Sequence, residues 1–376
     1  MSARIARFLA EQTPETPCLV VDLNLIGAAY DGLRRYLPLA QIYYAVKANP
    51  AAEIVRMLNW KGASFDVASR GEIGLCLENG VTPDRLSFGN TIKKEKDIAH
   101  AYHAGVKLFA FDSADELAKL ARAAPGSRVF CRILVTCDGA EWPLSRKFGC
   151  APEMAVELLH HARDAGLDPY GVSFHVGSQQ TDLGQWDGAV GAAAGMFSAL
   201  AALDINLRMV NIGGGFPAHY SGELPGVEHY AQAVMRAITR HFGNDLPEII
   251  IEPGRSLVGD AGIIQSEVVL ISEKGGNDGR RWVYLDVGKF NGLAETMDES
   301  IKYRIATPGR GGSAGPVVLA GPTCDSADIL YEKTEYCLPL ALRVGDKVEI
   351  LSAGAYTASY ASVGFNGFEP IRTYCI

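Results

Sequence analysis

Six places in this chain put a chemically capable group at the end of a short apolar run. Lys47 follows YYAV, Asp66 lies in FDVAS, Arg132 interrupts RVFCRILV, and His175 comes near the end of YGVSFHV. Gly213, Gly214 and Gly215 follow RMVNI, and Glu252 closes EIIIE and opens EPGR with Gly254 and Arg255. A lysine amine taken out of water gives up its proton more readily and forms an imine with an aldehyde. Consecutive glycines set backbone N–H groups close enough to hold a phosphate, although GGGFP lacks the G-x-x-x-x-G-K-[ST] spacing of a nucleotide loop. Taken singly, each has an ordinary reading. A lysine after an apolar run snorkels to the surface, a histidine among apolar neighbours is a hydrogen-bonded core residue, and Glu252 with Arg255 is an ion pair at a turn. Glu72, three residues after Ser69, reads as a helix cap.

The elements that must position these groups are eight β-branched and aromatic runs. They are residues 41–46, 63–67, 85–88, 107–111, 128–135, 170–176, 208–212 and 248–252. Between them lie segments of helical period such as PAAEIVRMLNW, SRGEIGLCLENG, SADELAKLARAA and MAVELLHHARDAG. Asn49 before Pro50 reads as an N-cap with proline at the first helical position, and Gly80 and Gly166 as helix stops. Eight strand–helix units without a dinucleotide-type glycine turn point to a (β/α)8 barrel rather than a doubly wound sheet. After about residue 256 the strand-like runs are separated by turns, which reads as an all-β domain of sandwich or barrel type. The expected division is residues 24–256 for the barrel, and residues 1–23 with 257–376 for the β domain.

In such a barrel the C-terminal strand ends converge on one face, and the six capable groups fall there. An imine-forming lysine, a phosphate nest, an arginine and a buried glutamate on one face are what pyridoxal 5′-phosphate requires: a partner for its aldehyde, donors for its phosphate and an acid for its ring nitrogen.

Composition narrows the setting. The chain has 376 residues, 48% apolar and 21% charged, with a net charge of −8. An acidic chain without long basic runs argues against nucleic-acid binding. The longest uncharged apolar stretch, Gly188 to Leu203, is too short and too rich in Ala and Gly to span a bilayer. No secretion signal is visible at the N-terminus. Eight cysteines, Cys18, Cys76, Cys131, Cys137, Cys150, Cys324, Cys337 and Cys375, show no metal or disulfide spacing, so a reduced, cytoplasmic setting without a metal is expected.

Seven separated stretches, YYAVKANP, FDVASRGEI, FHVGSQ, NIGGGFP, IEPGRSLV, GPTCDSAD and GAYTASYASVGFNGF, resemble in order the motifs of the fold-type III pyridoxal-phosphate decarboxylases, the ornithine/diaminopimelate/arginine decarboxylase group. The resemblance runs from about residue 18 to 370, and GPTCDSAD is most similar to the ornithine branch. It implies that Lys47 holds the cofactor, that His175 covers one ring face, and that Glu252 pairs with the ring nitrogen. Ser178, Gly215, Arg255 and Tyr356 are implied to hold the phosphate, with Gly214 and Gly254 also at the cofactor and Asp66 and Arg132 as supporting groups. A homodimer with shared active sites is implied as well. Cys324 would reach over from the partner subunit to deliver a proton, and Asp325 would grip the distal ammonium of the substrate. Phe365 is placed in the same substrate pocket. The segment KFNGLAETMDESIKY (289–303) would supply a second carboxylate from Asp298 or Glu299, with Glu299 preferred.

The expected activity is therefore decarboxylation of a basic L-amino acid, L-ornithine first and L-lysine second. The rival meso-diaminopimelate carries a distal carboxylate that Asp325 would repel. A racemase would want an arginine in place of Glu252, and a non-catalytic relative would have no need of Lys47 or Cys324.

Overall fold

The computed structural model describes residues 2–135, 138–142, 147–275 and 279–376, so Cys137 lies outside the described residues. The chain divides into two compact units. One comprises Met1–Ile26, Ala218–Glu223 and Arg255–Ile376; the other comprises Gly27–Pro217 and Leu224–Gly254. The first opens with a helix, Ala3–Gln12, capped by Ser2 Oγ, which accepts the Ile5 N–H at 3.2 Å. Its Ile5 and Leu9 pack on Cys18 and Val20 of strand β1 (Cys18–Val21).

The second unit is the barrel. Strands β2 (Ala40–Ala45), β3 (Ser64–Val67), β4 (Leu86–Phe88), β5 (Leu108–Phe111) and β6 (Arg128–Arg132) pair in parallel in that order. A short ribbon joins β7 (Ala140–Trp142) to β9 (Ser178–Gln180). Strands β8 (Asp168–Ser173), β10 (Met209–Asn211) and β11 (Glu248–Ile251) complete the barrel, with β11 paired to β2. All eight expected strands are present. Tyr43, Leu108, Ala110, Phe130, Tyr170, Met209 and Ile250, drawn from six of the strands, fill the interior as a packed cluster rather than a pore. Burying each large side chain contributes about 1.5–3 kcal/mol, which holds these short strands together.

Local details depart from the sequence pattern. The run from 170 to 176 does not stay in the barrel: β8 ends at Ser173, and Gly177, at φ +94°, turns the chain into the β7–β9 ribbon. The helix after Lys47 begins at Ala52, with Ala51 at its N-cap. Asn49 instead closes the preceding turn, so it is not the cap expected of it. Ser69 does cap its helix, accepting the Glu72 N–H at 3.3 Å, while the Glu72 carboxylate accepts the Ala68 N–H at 2.7 Å.

Beyond residue 261 the remaining strands are β12 (Gly262–Glu273), β13 (Arg281–Leu285), β14 (Ile305–Ala306), β15 (Ala314–Ala320), β16 (Ile329–Pro339), β17 (Lys347–Leu351) and β18 (Arg372–Cys375). With β1 they form one mixed, curled sheet in the order β14-β17-β12-β13-β15-β16, where β1 joins β12 and β18. The long β12 pairs with β1 and β17 at its start. After an irregularity between Val268 and Leu270 it continues against β13, which lets one strand serve both halves of the sheet. No helix of the described residues is long and apolar enough to cross a membrane.

Candidate active site

In the barrel unit, β2 runs into a 3₁₀ turn, Val46–Ala48, whose flanking Val46 and Ala48 are buried. The Lys47 between them is turned outward, its side chain 50% exposed, with Nζ 3.6 Å from Asp66 Oδ2. The turn is held by the Tyr44 hydroxyl, which donates to the Asn49 carbonyl at 2.9 Å. The Lys47 side-chain nitrogen thus faces a carboxylate across the turn. Asp66, near the end of β3, is buried, and its Oδ1 has no hydrogen-bond partner. Gly89 makes that position possible, because a Cβ there would fall 2.0 Å from Oδ1.

Glu252 follows β11. Its carboxylate accepts a hydrogen bond from Asn211 Nδ2, and Asn211 Oδ1 accepts the Gly213 N–H at 2.9 Å, so the last residue of β10 orients both. Burial pushes the Glu252 carboxyl up, and the neighbouring Asp66 adds to it; Lys47, Asn211 and Arg132 oppose, and the result is about 7. His175 is held well below its ordinary value, by burial first and then by the charges of Arg132 and Lys47, so it is neutral. Its Nδ1 accepts the Gly177 N–H at 3.0 Å, which leaves the proton on Nε2. Arg132 ends β6 with its guanidinium 5.2 Å from the Phe148 ring centre.

The three glycines after β10 are required sterically. A Cβ would fall 2.4 Å from the Phe174 carbonyl at Gly213, 2.7 Å from the Glu252 carbonyl at Gly214 and 2.8 Å from the Gly177 carbonyl at Gly215. The Gly215 carbonyl accepts the Gln180 N–H at 2.9 Å, which ties this loop to the ribbon that begins at Ser178. Gly254 ends the barrel unit, and the Pro253 carbonyl before it accepts the Ala45 N–H at 3.1 Å. The structure thus gathers Lys47, Asp66, Arg132, His175, Glu252 and the glycine turn around the C-terminal strand ends.

The β unit holds the other expected residues in two groups. Arg255 is buried and gives both terminal nitrogens to Glu295, at 2.7 and 2.6 Å, with one also donating to the Tyr220 hydroxyl at 2.7 Å. The ring of Tyr356 lies 4.8 Å from the guanidinium carbon. In the second group Cys324 is exposed, and its N–H donates to Asn366 Oδ1 at 2.9 Å. Asp325 is also exposed, and its Oδ1 accepts the Ala327 N–H at 2.8 Å. Phe365 packs on Phe290 with ring centres 5.0 Å apart. Phe290, Ala294, Met297, Asp298, Ala327 and Tyr360, with Lys289, line a pocket of about 470 Å³.

Glu299 is not in that pocket. Its carboxylate accepts the N–H groups of Glu332 and Lys333 at 2.8 Å each and of Thr334 at 2.6 Å. Burial raises its carboxyl, but those donors outweigh it and hold the group down at about 2. The expected preference was for Glu299 over Asp298 as a reader of substrate; the structure engages Glu299 with three backbone donors and puts Asp298 in the pocket lining. Two further residues escaped the sequence reading. Asn211 could have been noticed as a polar side chain inside the apolar run RMVNI, whereas nothing in AETMDE distinguishes Glu295 as the partner of Arg255.

Residues 23–259 match the family described as pyridoxal-dependent decarboxylase, pyridoxal binding domain. The chain belongs to the fold-type III pyridoxal-phosphate-dependent decarboxylases. It is 34% identical over 370 residues to the lysine/ornithine decarboxylase of Selenomonas ruminantium, covering 98% of this chain and 91% of the relative. A solved structure of SrLDC in complex with PLP and cadaverine superposes with a TM-score of 0.89 at 33% identity, over 100% of this chain and 94% of that one. The lysine/ornithine decarboxylase of Vibrio vulnificus, solved with cadaverine, gives a TM-score of 0.89 at 30% identity, over 100% and 99%. The protein is thus a carboxy-lyase whose cofactor is pyridoxal phosphate. The barrel residues fit that cofactor: an outward amine at Lys47, an unpartnered buried oxygen on Asp66, a raised carboxyl at Glu252, and a glycine turn that admits no side chain.

Proposed function

We propose that this decarboxylase converts L-ornithine to putrescine and CO2, with L-lysine, giving cadaverine, as its second substrate. The observation that carries the reading is the 470 Å³ pocket: Phe290, Ala294, Met297 and Tyr360 suit an alkyl chain, and Asp298 suits an ammonium at its end. The Selenomonas and Vibrio relatives, both described as lysine/ornithine decarboxylases, support the same substrates. Lys289 in the same lining is the feature that favours meso-diaminopimelate as the second reading, because it offers a cation to a distal carboxylate.

When bound, pyridoxal phosphate supplies a sink for the electron pair left as CO2 departs. Lys47 holds the cofactor, and Asp66 faces the Lys47 amine. Glu252, aimed by Asn211, holds a proton at the ring nitrogen. Neutral His175 covers the ring without adding charge, and Arg132 supports the site. Ser178, Gly214, Gly215, Gly254, Arg255 and Tyr356 hold the phosphate. Cys324 delivers a proton to carbon, Asp325 and Asp298 read the distal ammonium, and Phe365 walls the chain. We infer that Cys324 and Asp325 act from a second copy. Met297, Tyr360, Val363 and Phe365, exposed by 40%, 43%, 85% and 37%, support that reading as apolar surface that a copy would cover.

The test has two parts. Purified protein should be yellow, and borohydride should fix the cofactor to Lys47; Lys47→Ala should take up no covalent cofactor and turn over nothing. Steady-state comparison of ornithine, lysine, arginine and diaminopimelate should rank kcat/KM highest for ornithine. A higher value for diaminopimelate would replace the proposed substrate.

A further inference from the structure

The segment that carries Asp298 is unusual in being fastened on both sides of that residue by the side chains of its neighbours. Glu295, three residues earlier, is buried and receives both terminal nitrogens of Arg255. Its carbonyl accepts the Ile301 N–H at 3.0 Å, and the Thr296 hydroxyl donates to the Leu293 carbonyl at 2.7 Å, so the backbone closes on itself around residues 295–301. Glu299, one residue after Asp298, takes the N–H groups of Glu332, Lys333 and Thr334.

Those three donors are available for a definite reason. Strand β16 is out of step with β15 there: Val317 pairs with Tyr336 and Leu319 with Tyr331, so two steps on β15 oppose five on β16. Backbone groups in such an irregularity leave the ladder and need another acceptor. The exit of the segment is held from the same strand. The Tyr331 hydroxyl donates to the Ile301 carbonyl at 2.6 Å and accepts the Tyr303 N–H at 3.0 Å. Between these anchors Asp298 and Glu299 stand at φ +52° and +56°, a backbone region that non-glycine residues occupy when their surroundings fix them. Met297 and Asp298 alone in this stretch are well exposed, and both line the pocket.

We propose that Glu295 and Glu299 are positioning residues that clamp this segment and fix the reach of Asp298, and that the clamp sets which side-chain length the enzyme selects. The inference rests on the reading above in which Asp298 meets the distal ammonium. Selecting between chains that differ by one methylene requires the carboxylate to stay within a fraction of a carbon–carbon bond of its place. A short side chain on a loose loop would follow either ammonium, whereas one on a fixed backbone favours a single length. The depressed carboxyl of Glu299 agrees, since it keeps the clamp charged throughout the working pH range.

The experiment uses holoenzyme and the variants Glu299→Ala, Glu299→Gln and Asp298→Asn. Three quantities are read: the visible absorbance of bound cofactor, kcat/KM for ornithine and lysine, and inhibition constants of the 1,4- and 1,5-diamines. One methylene is worth about 10–200-fold in such a ratio. With cofactor retained, Glu299→Ala should bring the ornithine-to-lysine ratio about ten-fold closer to unity and make the two diamine constants converge. If Glu299→Ala does not fold, Glu299→Gln, which keeps one acceptor oxygen and loses the charge, should move both ratios in the same direction. Ratios unchanged from wild type in the folded variant overturn the clamp. Asp298→Asn separates the two claims. Unchanged kcat/KM on both amino acids defeats the reading of Asp298 itself. A loss on both, together with unchanged ratios in the Glu299 variants, defeats the clamp alone.

Discussion

Removing the charge-bearing option at Glu252 tests whether the barrel site is built around a carboxyl that resists ionisation. Its carboxyl stands at about 7 against an ordinary 4.5, a difference worth about 3 kcal/mol at 1.36 kcal/mol per unit. Because the folded chain keeps this proton longer than the unfolded chain does, the contribution is complete below the ordinary value. It is lost as the pH rises through about 7. Most of it disappears between pH 5 and pH 8. Other groups titrate in that range, so the useful quantity is the difference between wild type and Glu252→Gln, a neutral side chain of the same shape. For a unit of about 220 residues each kcal/mol moves Tm by about 2–4 °C. In cofactor-free protein, the wild-type Tm minus the variant Tm should therefore fall by about 5–10 °C between pH 5 and pH 8. Thermal melts followed by circular dichroism would read it. Loading the cofactor should flatten the dependence, because its ring nitrogen gives the carboxylate a cationic partner. A wild-type-minus-variant difference that stays constant with pH in the cofactor-free protein would falsify the assignment of a buried, destabilised carboxyl at this position.

Two other substitutions have defined outcomes. Lys93 is fully buried, with Nζ 3.0 Å from Glu116 and bonded to the carbonyls of Asn90 and Ala110. Lys93→Met leaves the Glu116 carboxylate with Lys119 and the backbone N–H of residue 93 as partners and removes the ammonium buried against it. The loss should be about 3 kcal/mol in urea denaturation, largely recovered in Lys93→Met/Glu116→Leu; equal stability of the single variant and wild type would remove the pair from the stability account. Cys324→Ala should slow decarboxylation by about 10²–10⁴-fold, the usual range for losing a placed proton donor. It should also divert turnover to aldehyde and pyridoxamine phosphate, measured by chromatography; clean amine at the wild-type rate would take Cys324 out of the reaction.

The barrel was readable because its signals are local. Eight apolar runs of β-branched and aromatic residues, each followed by a helical period, need no knowledge of tertiary contacts, and the structure pairs all eight. Boundaries were less readable wherever a single backbone angle decides them. The run at 170–176 leaves the barrel after Ser173 and turns at Gly177 into the ribbon, and Asn49 closes a 3₁₀ turn instead of capping the next helix. The β7–β9 ribbon was missed for a related reason: three-residue strands leave no alternation to detect.

The site divides in the same way. Candidate residues that lie at or just beyond the end of their own strand, such as Asp66, His175 and Glu252, could be found from position along the chain. What Glu295 and Glu299 do could not, because it depends on groups that lie 40 and about 35 residues away in sequence. Glu299 shows why composition misleads there. An acid next to another acid in a segment facing substrate reads as a second reader of charge. Yet the irregular pairing of β16 with β15 leaves three N–H groups seeking an acceptor, and a carboxylate satisfies them better than any neutral side chain would. On the proposal above, the same acidic residue type serves two purposes one position apart. Asp298 is left exposed in the pocket, and Glu299 is consumed in holding its backbone.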